Sequence, residues 1–270
     1  MDKRNCKQIL ISVVIVLYNL DLEKSEAFLS VMRYKKKCVE IIVCDNSDKR
    51  NDNKKKSEKY PVRYIQMGGN KGLPKAYNLA IANSKGNNIC ILDDDTKISS
   101  DYFDKMISYI QKYPSAVIAP IVMTGNSIFS PVLVNGFRYK SFKNLNMNPK
   151  RISAINSGLI IPAVIFDYCK YNEKIFIDCA DHDFIRQIKA KNIDIVIAKD
   201  VVLQQNYSRL TDGKEQMLKR LNIFYKDYRV FCSDSIVHRI YCCFDILFTK
   251  IKYAIKYKSL DFFNEISASK

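Results

Sequence analysis

Apolar residues fall along this chain in short runs with at most one polar residue inside, each stopping at polar or acidic side chains. Ile9 to Leu17 closes in Tyr18-Asn19, Val39 to Cys44 closes in Asp45-Asn46-Ser47, and Ile89 to Leu92 closes in Asp93-Asp94-Asp95-Thr96. Runs without alternation fit strands buried on both faces, as in a parallel sheet covered by helices. Helical spacing follows the first run, with apolar positions at Leu22, Ala27, Phe28, Val31 and Met32. Asp48 to Lys59 is polar and highly charged and reads as a surface loop, and Val62 to Gln66 as a third short strand. Leu73 to Ser84 can form a helix, with Pro74 tolerated in its first turn. This β-α-β-β-α-β order predicts an α/β protein with a mostly parallel, doubly wound sheet.

The second half is less regular. Asp101 to Lys112 reads as a helix ended by Pro114, Ala116 to Val122 as a strand, and residues 124–150 as a hairpin or loop without a clear period. Ile155 to Pro162 is a short strand interrupted by Asn156-Ser157-Gly158, where a glycine marks close approach by a ligand or another backbone. Phe176 to Phe184 carries Asp178, Asp181 and Asp183 ahead of a helical Ile185 to Lys191. Ile193 to Ala198 and Val201 to Leu203 then form a last pair of strands.

Strand ends in such a sheet gather at one edge, where ligands bind. Three adjacent carboxylates repel one another unless a cation or hydrogen-bond donors offset them. Hard oxygen ligands of this kind suit Mg²⁺ or Mn²⁺ held on phosphates. The same triplet alone also fits a solvated turn capping the next helix. Asp181 and Asp183 fit either a helix start, where acids favour the dipole, or a general base. Asp45 can accept hydrogen bonds from a pyrimidine ring or a ribose. Gly68 to Gly72 allows close backbone approach before a helix, but lacks both GxGxxG and the Lys-Ser/Thr of a P-loop.

Composition adds one unusual feature to this picture. Among 270 residues, 44 Lys/Arg face 28 Asp/Glu, a formal net charge of +16, which favours anionic partners without choosing among them. Nine cysteines are scattered without a CxxC pair, and Cys44 and Cys90 sit in core-like runs. That pattern suits a reducing compartment. No signal-peptide pattern opens the sequence, and no run reaches ~18 apolar residues. A cytoplasmic protein is expected.

Taken together, these segments resemble family 2 glycosyltransferases with the GT-A fold, especially the bacterial rhamnosyltransferase-like and galactofuranosyltransferase-like branch. The resemblance rests on Val14 to Asn19, Ile42 to Ser47, Asn70-Lys71-Gly72 with Ala76 and Asn78, Asp93-Asp94-Asp95, Asn156-Ser157-Gly158, and Phe176-Ile177-Asp178 with Asp181 and Asp183. It spans about residues 9 to 208. It implies a GT-A domain over residues 1–210 and inverting transfer from a UDP- or dTDP-sugar to a hydroxyl of a glycan or lipid-linked glycan in bacterial surface polysaccharide synthesis. By that resemblance Leu17, Tyr18, Asn19, Asp45, Asn70, Lys71, Gly72, Asn78, Asp93 and Asp94 surround the donor nucleotide. Asp93 and Asp95 match the outer acids of the family's DxD motif and would hold Mg²⁺ or Mn²⁺. Asp181 matches the base, while Asn156, Ser157, Gly158 and Asp183 fall on the acceptor side. One position departs from the branch: Leu203-Gln204-Gln205 puts Gln205 where a metal-ligating His often stands, which places metal dependence in doubt. The two histidines, His182 and His238, lie elsewhere.

Residues 211–270 are expected to form a basic helical extension. Residues 214–258 hold ten Lys/Arg against four Asp/Glu, and Ile236, Ile240, Cys243, Phe244, Leu247, Ile251 and Ile255 repeat at helical steps. Two readings stand: a helix lying in an anionic membrane interface at the inner face of the cell membrane, or one packed on the catalytic domain. Rival functions are a nucleotidyltransferase, for which Tyr18-Asn19-Leu20 supplies no catalytic basic loop, and a degenerate, non-catalytic partner subunit. Nucleic-acid binding rests on charge alone and is not assigned.

Overall fold

The computed structural model describes residues 10–34, 36, 38–141, 151–205 and 213–264. Its elements in chain order are β1 (Ile11–Leu17), α1 (Glu26–Met32), β2 (Val39–Asp45), α2 (Asn53–Ser57), β3 (Val62–Gln66), α3 (Leu73–Ala82), β4 (Asn88–Asp93), α4 (Tyr102–Lys112), β5 (Val117–Thr124), β6 (Ser127–Ser130), β7 (Val132–Asn135), β8 (Arg138–Lys140), β9 (Ile152–Ser153), β10 (Leu159–Pro162), α5 (Ala180–Ala190), β11 (Ile195–Gln204), α6 (Lys214–Phe231) and α7 (Ile236–Tyr257).

The main sheet runs β11-β5-β10-β4-β1-β2-β3, with β6 paired to β5, and a small second sheet runs β8-β7-β9. All neighbours in the main sheet are parallel except β10, which is antiparallel to β4 and β5, and β6. The lack of alternation in the apolar runs has the anticipated cause. Along β1, Ile11, Val13, Ile15 and Leu17 join a core with α1 and α4, while Val14 and Val16 join a second core with α3 and α5 on the opposite face. A strand buried on both sides has no polar face to alternate with.

Several segments differ from the sequence reading. The charged stretch after β2 contains α2, whose Asn53 is buried and bonded to Leu20, Leu22 and Asp45. The two last strands are one, β11, with a register shift between Ala198 and Val202. Residues 124–141 supply β6, β7 and β8; the remainder of that stretch, 142–150, lies outside the described residues. Helix α5 starts five residues earlier than predicted, because Cys179 adopts a left-handed φ of 65° and turns the chain into it. Asp181 and Asp183 therefore occupy the first helical turn.

The proposed boundary at 210/211 lies outside the described residues. Beyond it, Met217, Leu221, Tyr225 and Tyr228 of α6 pack with Ile175 and Ala180, so α6 is built onto the segment that leads to Asp181. Asp227 of α6, almost fully buried, accepts the backbone N–H groups of Phe176 (2.7 Å), Ile177 (2.8 Å) and Asp178 (2.8 Å).

Candidate active site

Register brings the acids to one edge. Leu17 lies beside Asp45, and Val16 beside Asp93, so β1, β2 and β4 end together. A bridge between Lys97 and Gln204 draws the end of β11 to the acidic loop. The backbone of Asp94 is fastened from α1, where the Ser25 hydroxyl (2.8 Å) and the Ala27 N–H (3.2 Å) donate to its carbonyl.

A cleft of about 680 Å³ opens at this edge, a size typical for small-ligand sites. Its walls include Tyr18, all three acids Asp93 to Asp95, Asn156, Asp181, His182 and Gln205. Helix α6 adds Arg220 and Phe224, which no motif in the sequence singled out.

Asp93 accepts from the Ser157 hydroxyl and from Gln205 Nε2 at 3.0 Å. Burial raises its pKa, the charges of Asp95 and Asp181 raise it further, and those two hydrogen bonds oppose the rise. Asp94 is pushed up to about 6, first by burial and then by Asp95 and Asp93. Asp95 is exposed and receives Gln205 Nε2 at 3.4 Å. Gln205 thus presents its amide N–H groups to both outer acids, while its carbonyl accepts from Ser157 at 3.3 Å. Here it acts as a neutral cross-link between carboxylates; to ligate a cation, the amide would have to turn its oxygen toward them.

A divalent cation fits this donor set, because the two outer acids crowd each other and have no positive partner among the described residues. Among the described residues no cluster of three or more His, Cys, Asp or Glu side chains is arranged to hold a metal by itself. A cation would therefore rest on Asp93 and Asp95 plus oxygens of the substrate, the usual manner for Mg²⁺ on a diphosphate.

The raised pKa of Asp94 predicts a stability effect. In the folded state Asp94 holds its proton more tightly than in the unfolded chain. Its stabilising contribution is complete below the unfolded value of 3.8 and lost as pH rises through about 6. Asp94→Asn should therefore raise the thermal midpoint of the ligand-free protein at pH 7 by several degrees. Melts repeated down to pH 4 should show that gain shrinking; a gain independent of pH would exclude the electrostatic cause.

Other predicted positions build the walls without lining the cleft. Asp45 is buried, and its carboxylate accepts from Ser47 N, Asn53 Nδ2 and Tyr64 OH. Burial pushes its pKa up, but these bonds outweigh it and hold the group below the ordinary value. Leu17 is fully buried in the core. Asn19, at a left-handed φ of 52°, ties the loop after β1 to Ser47 and Lys49. Asn46, which the motif reading left without a role, binds both Asn70 Oδ1 (3.1 Å) and Lys71 N (2.8 Å), while Asn78 clips onto the backbone of Tyr171 and onto Glu173. The Lys71 side chain is exposed at this loop.

Gly72 stands at φ 91°, and a Cβ there would lie 2.7 Å from the carbonyl oxygen of Phe176. At Gly158, φ 76°, a Cβ would strike Leu203 at 2.5 Å. The close approach anticipated at Gly158 is thus made by the protein itself. Asp183 turns inward, paired with Arg186 at 2.6 Å and Gln187 at 3.0 Å, and leaves Asp181 as the acid of α5 that faces the cleft.

The family model described as Glycosyl transferase family 2 matches residues 12–176. A dTDP-rhamnosyl transferase, RfbF of Shigella flexneri, is 26% identical over 200 residues, covering 71% of this chain and 67% of that protein. Among solved structures, S. aureus TarS 1-349 superposes with a TM-score of 0.57 at 17% identity, covering 87% of this chain and 68% of that one. GalNAc-T7 with UDP, GalNAc and Mn²⁺ gives 0.61 at 14% identity, covering 80% and 47%. At these identities the structural likeness speaks for the fold, which is GT-A-like: a mostly parallel central sheet followed by C-terminal helices.

Proposed function

The chain belongs to glycosyl transferase family 2, and from that premise we propose that it is an inverting transferase acting on a nucleotide-diphospho-sugar. The acceptor is a hydroxyl of a glycan or lipid-linked glycan in bacterial surface polysaccharide synthesis. The observation that carries this reading is the single cleft holding Asp93, Asp94, Asp95 and Asp181 at the carboxyl ends of β1 and β4. A dTDP-sugar is the preferred donor, since the relative RfbF carries that nucleotide in its name.

In this reading Asp181 accepts the proton of the acceptor hydroxyl as its oxygen attacks the anomeric carbon. The bond from that carbon to the diphosphate oxygen breaks, and the nucleoside diphosphate leaves with the electron pair, inverting the centre. Asp93 and Asp95 would hold Mg²⁺ or Mn²⁺, which when bound neutralises charge on the leaving diphosphate. Tyr18, at the mouth and bonded to Asp48 at 3.2 Å, borders the nucleotide. Arg220 brings a cation to a cleft otherwise rich in acids, a suitable contact for phosphate oxygens. Asn156 and Ser157 shape the floor: Tyr171 holds the first at 2.8 Å, and the second holds Asp93.

Calorimetric titration with UDP, dTDP and GDP, each with and without Mn²⁺, tests the proposal. One diphosphate should bind, more tightly with Mn²⁺. Binding of none, under either condition, would leave the degenerate partner subunit as the better reading.

A further inference from the structure

The extension presents an apolar face that no other described residue covers. Helix α7 packs inward through His238, Cys242 and Ile246. Ile236 (73% exposed), Ile240, Phe244 (58%), Leu247, Phe248 (67%) and Ile255 (72%) point away from that contact. At about 100° per residue these six side chains fall within an arc of roughly 120° along the whole helix. The predicted stripe is therefore real, but it lies on the outer side.

Charge borders the arc on both long edges. Arg239 and Lys250 follow one edge and Lys252 and Lys256 the other, while the helix's one acid, Asp245, interacts with Tyr228 on the packed side. Beyond the C-terminal end of α7, Leu260 (78% exposed) and Phe263 extend the apolar surface. Among the described residues no helix is long and apolar enough to cross a membrane.

We propose that this face of α7 lies in the plane of an anionic lipid bilayer, its apolar arc sunk to the headgroup boundary and its basic edges on lipid phosphates. Pairing with a second copy fits poorly. A two-fold contact through this arc would set basic edge against basic edge, and like charges facing each other oppose association. The proposal stands apart from the transfer reading, because lipid binding can be measured without turnover.

The test is co-sedimentation of the full chain with vesicles of phosphatidylcholine alone or mixed with phosphatidylglycerol. Wild type should pellet with the anionic vesicles and much less with the neutral ones. The double variant Phe244→Asp/Phe248→Asp should lose roughly 100-fold or more in partitioning. Lys252→Gln and Lys256→Gln should each lose about fivefold, on anionic vesicles only. Both phenylalanines are exposed, so thermal melts of the variants should match wild type and exclude unfolding. Wild type remaining in the supernatant with anionic vesicles would overturn the proposal. So would sedimentation velocity showing a dimer that Phe244→Asp/Phe248→Asp dissolves, because the face would then be an interface between copies.

Discussion

Asp181→Asn should lower sugar transfer by about 10³-fold while leaving affinity for the nucleoside diphosphate nearly unchanged. Asparagine keeps the size of the side chain and one acceptor oxygen, so the His182 N–H that now bonds Asp181 at 2.7 Å retains a partner. What disappears is the basicity needed to take a proton from the acceptor hydroxyl. The measurement pairs single-turnover transfer with calorimetric binding. Parallel loss of both would make Asp181 a structural residue of the α5 start rather than the base. Asp183→Asn offers a contrast, since its carboxylate is already held by Arg186 and Gln187, and its loss should appear first in the melting temperature.

The second large effect lies at Asp227, remote in sequence from every motif of the family. Asp227→Ala leaves three backbone N–H groups, at Phe176, Ile177 and Asp178, without their buried acceptor. Hydrogen bonds to a charged group are worth about 1.5–3 kcal/mol each. Allowing for partial relaxation, a total loss of about 4 kcal/mol is expected by denaturant unfolding. Transfer should fall as well, even far below the melting temperature. The freed segment carries the carbonyl of Phe176 that receives Leu73 N–H at 2.7 Å, and it feeds directly into α5 and Asp181. Full activity of the variant at low temperature would show that other contacts hold the segment in place.

The parts of the fold that could be read from sequence are those with one-dimensional causes. β1, β2 and β4 are buried on both faces by α1 and α4 on one side and α3 and α5 on the other, so their apolar runs do not alternate. The acidic triplet was visible for the same reason, as an abrupt end to such a run. Contacts between distant segments left no comparable trace. Asn53 sits in a charged stretch with the composition of a loop, yet its amide links Asp45, Leu20 and Leu22. Arg220 and Phe224 belong to an ordinary amphipathic helix, and only tertiary packing carries them to the cleft. Nor did the sequence show the hydrogen bonds that Asp45, Asn78 and Asp183 make to the backbone or to a neighbouring side chain.

The antiparallel strand β10 has a consequence for synthesis on the ribosome. β1 to β4 come from residues 11–93 and form a contiguous half-sheet as soon as they emerge. β5 emerges next, but it does not pair with β4; its sheet neighbours are β10 and β11, made some forty and eighty residues later. Until then its only strand partner is the short β6, with α4 packed on one face. A nascent chain paused between these points exposes an open edge on both β4 and β5, and chaperone contact should be greatest there.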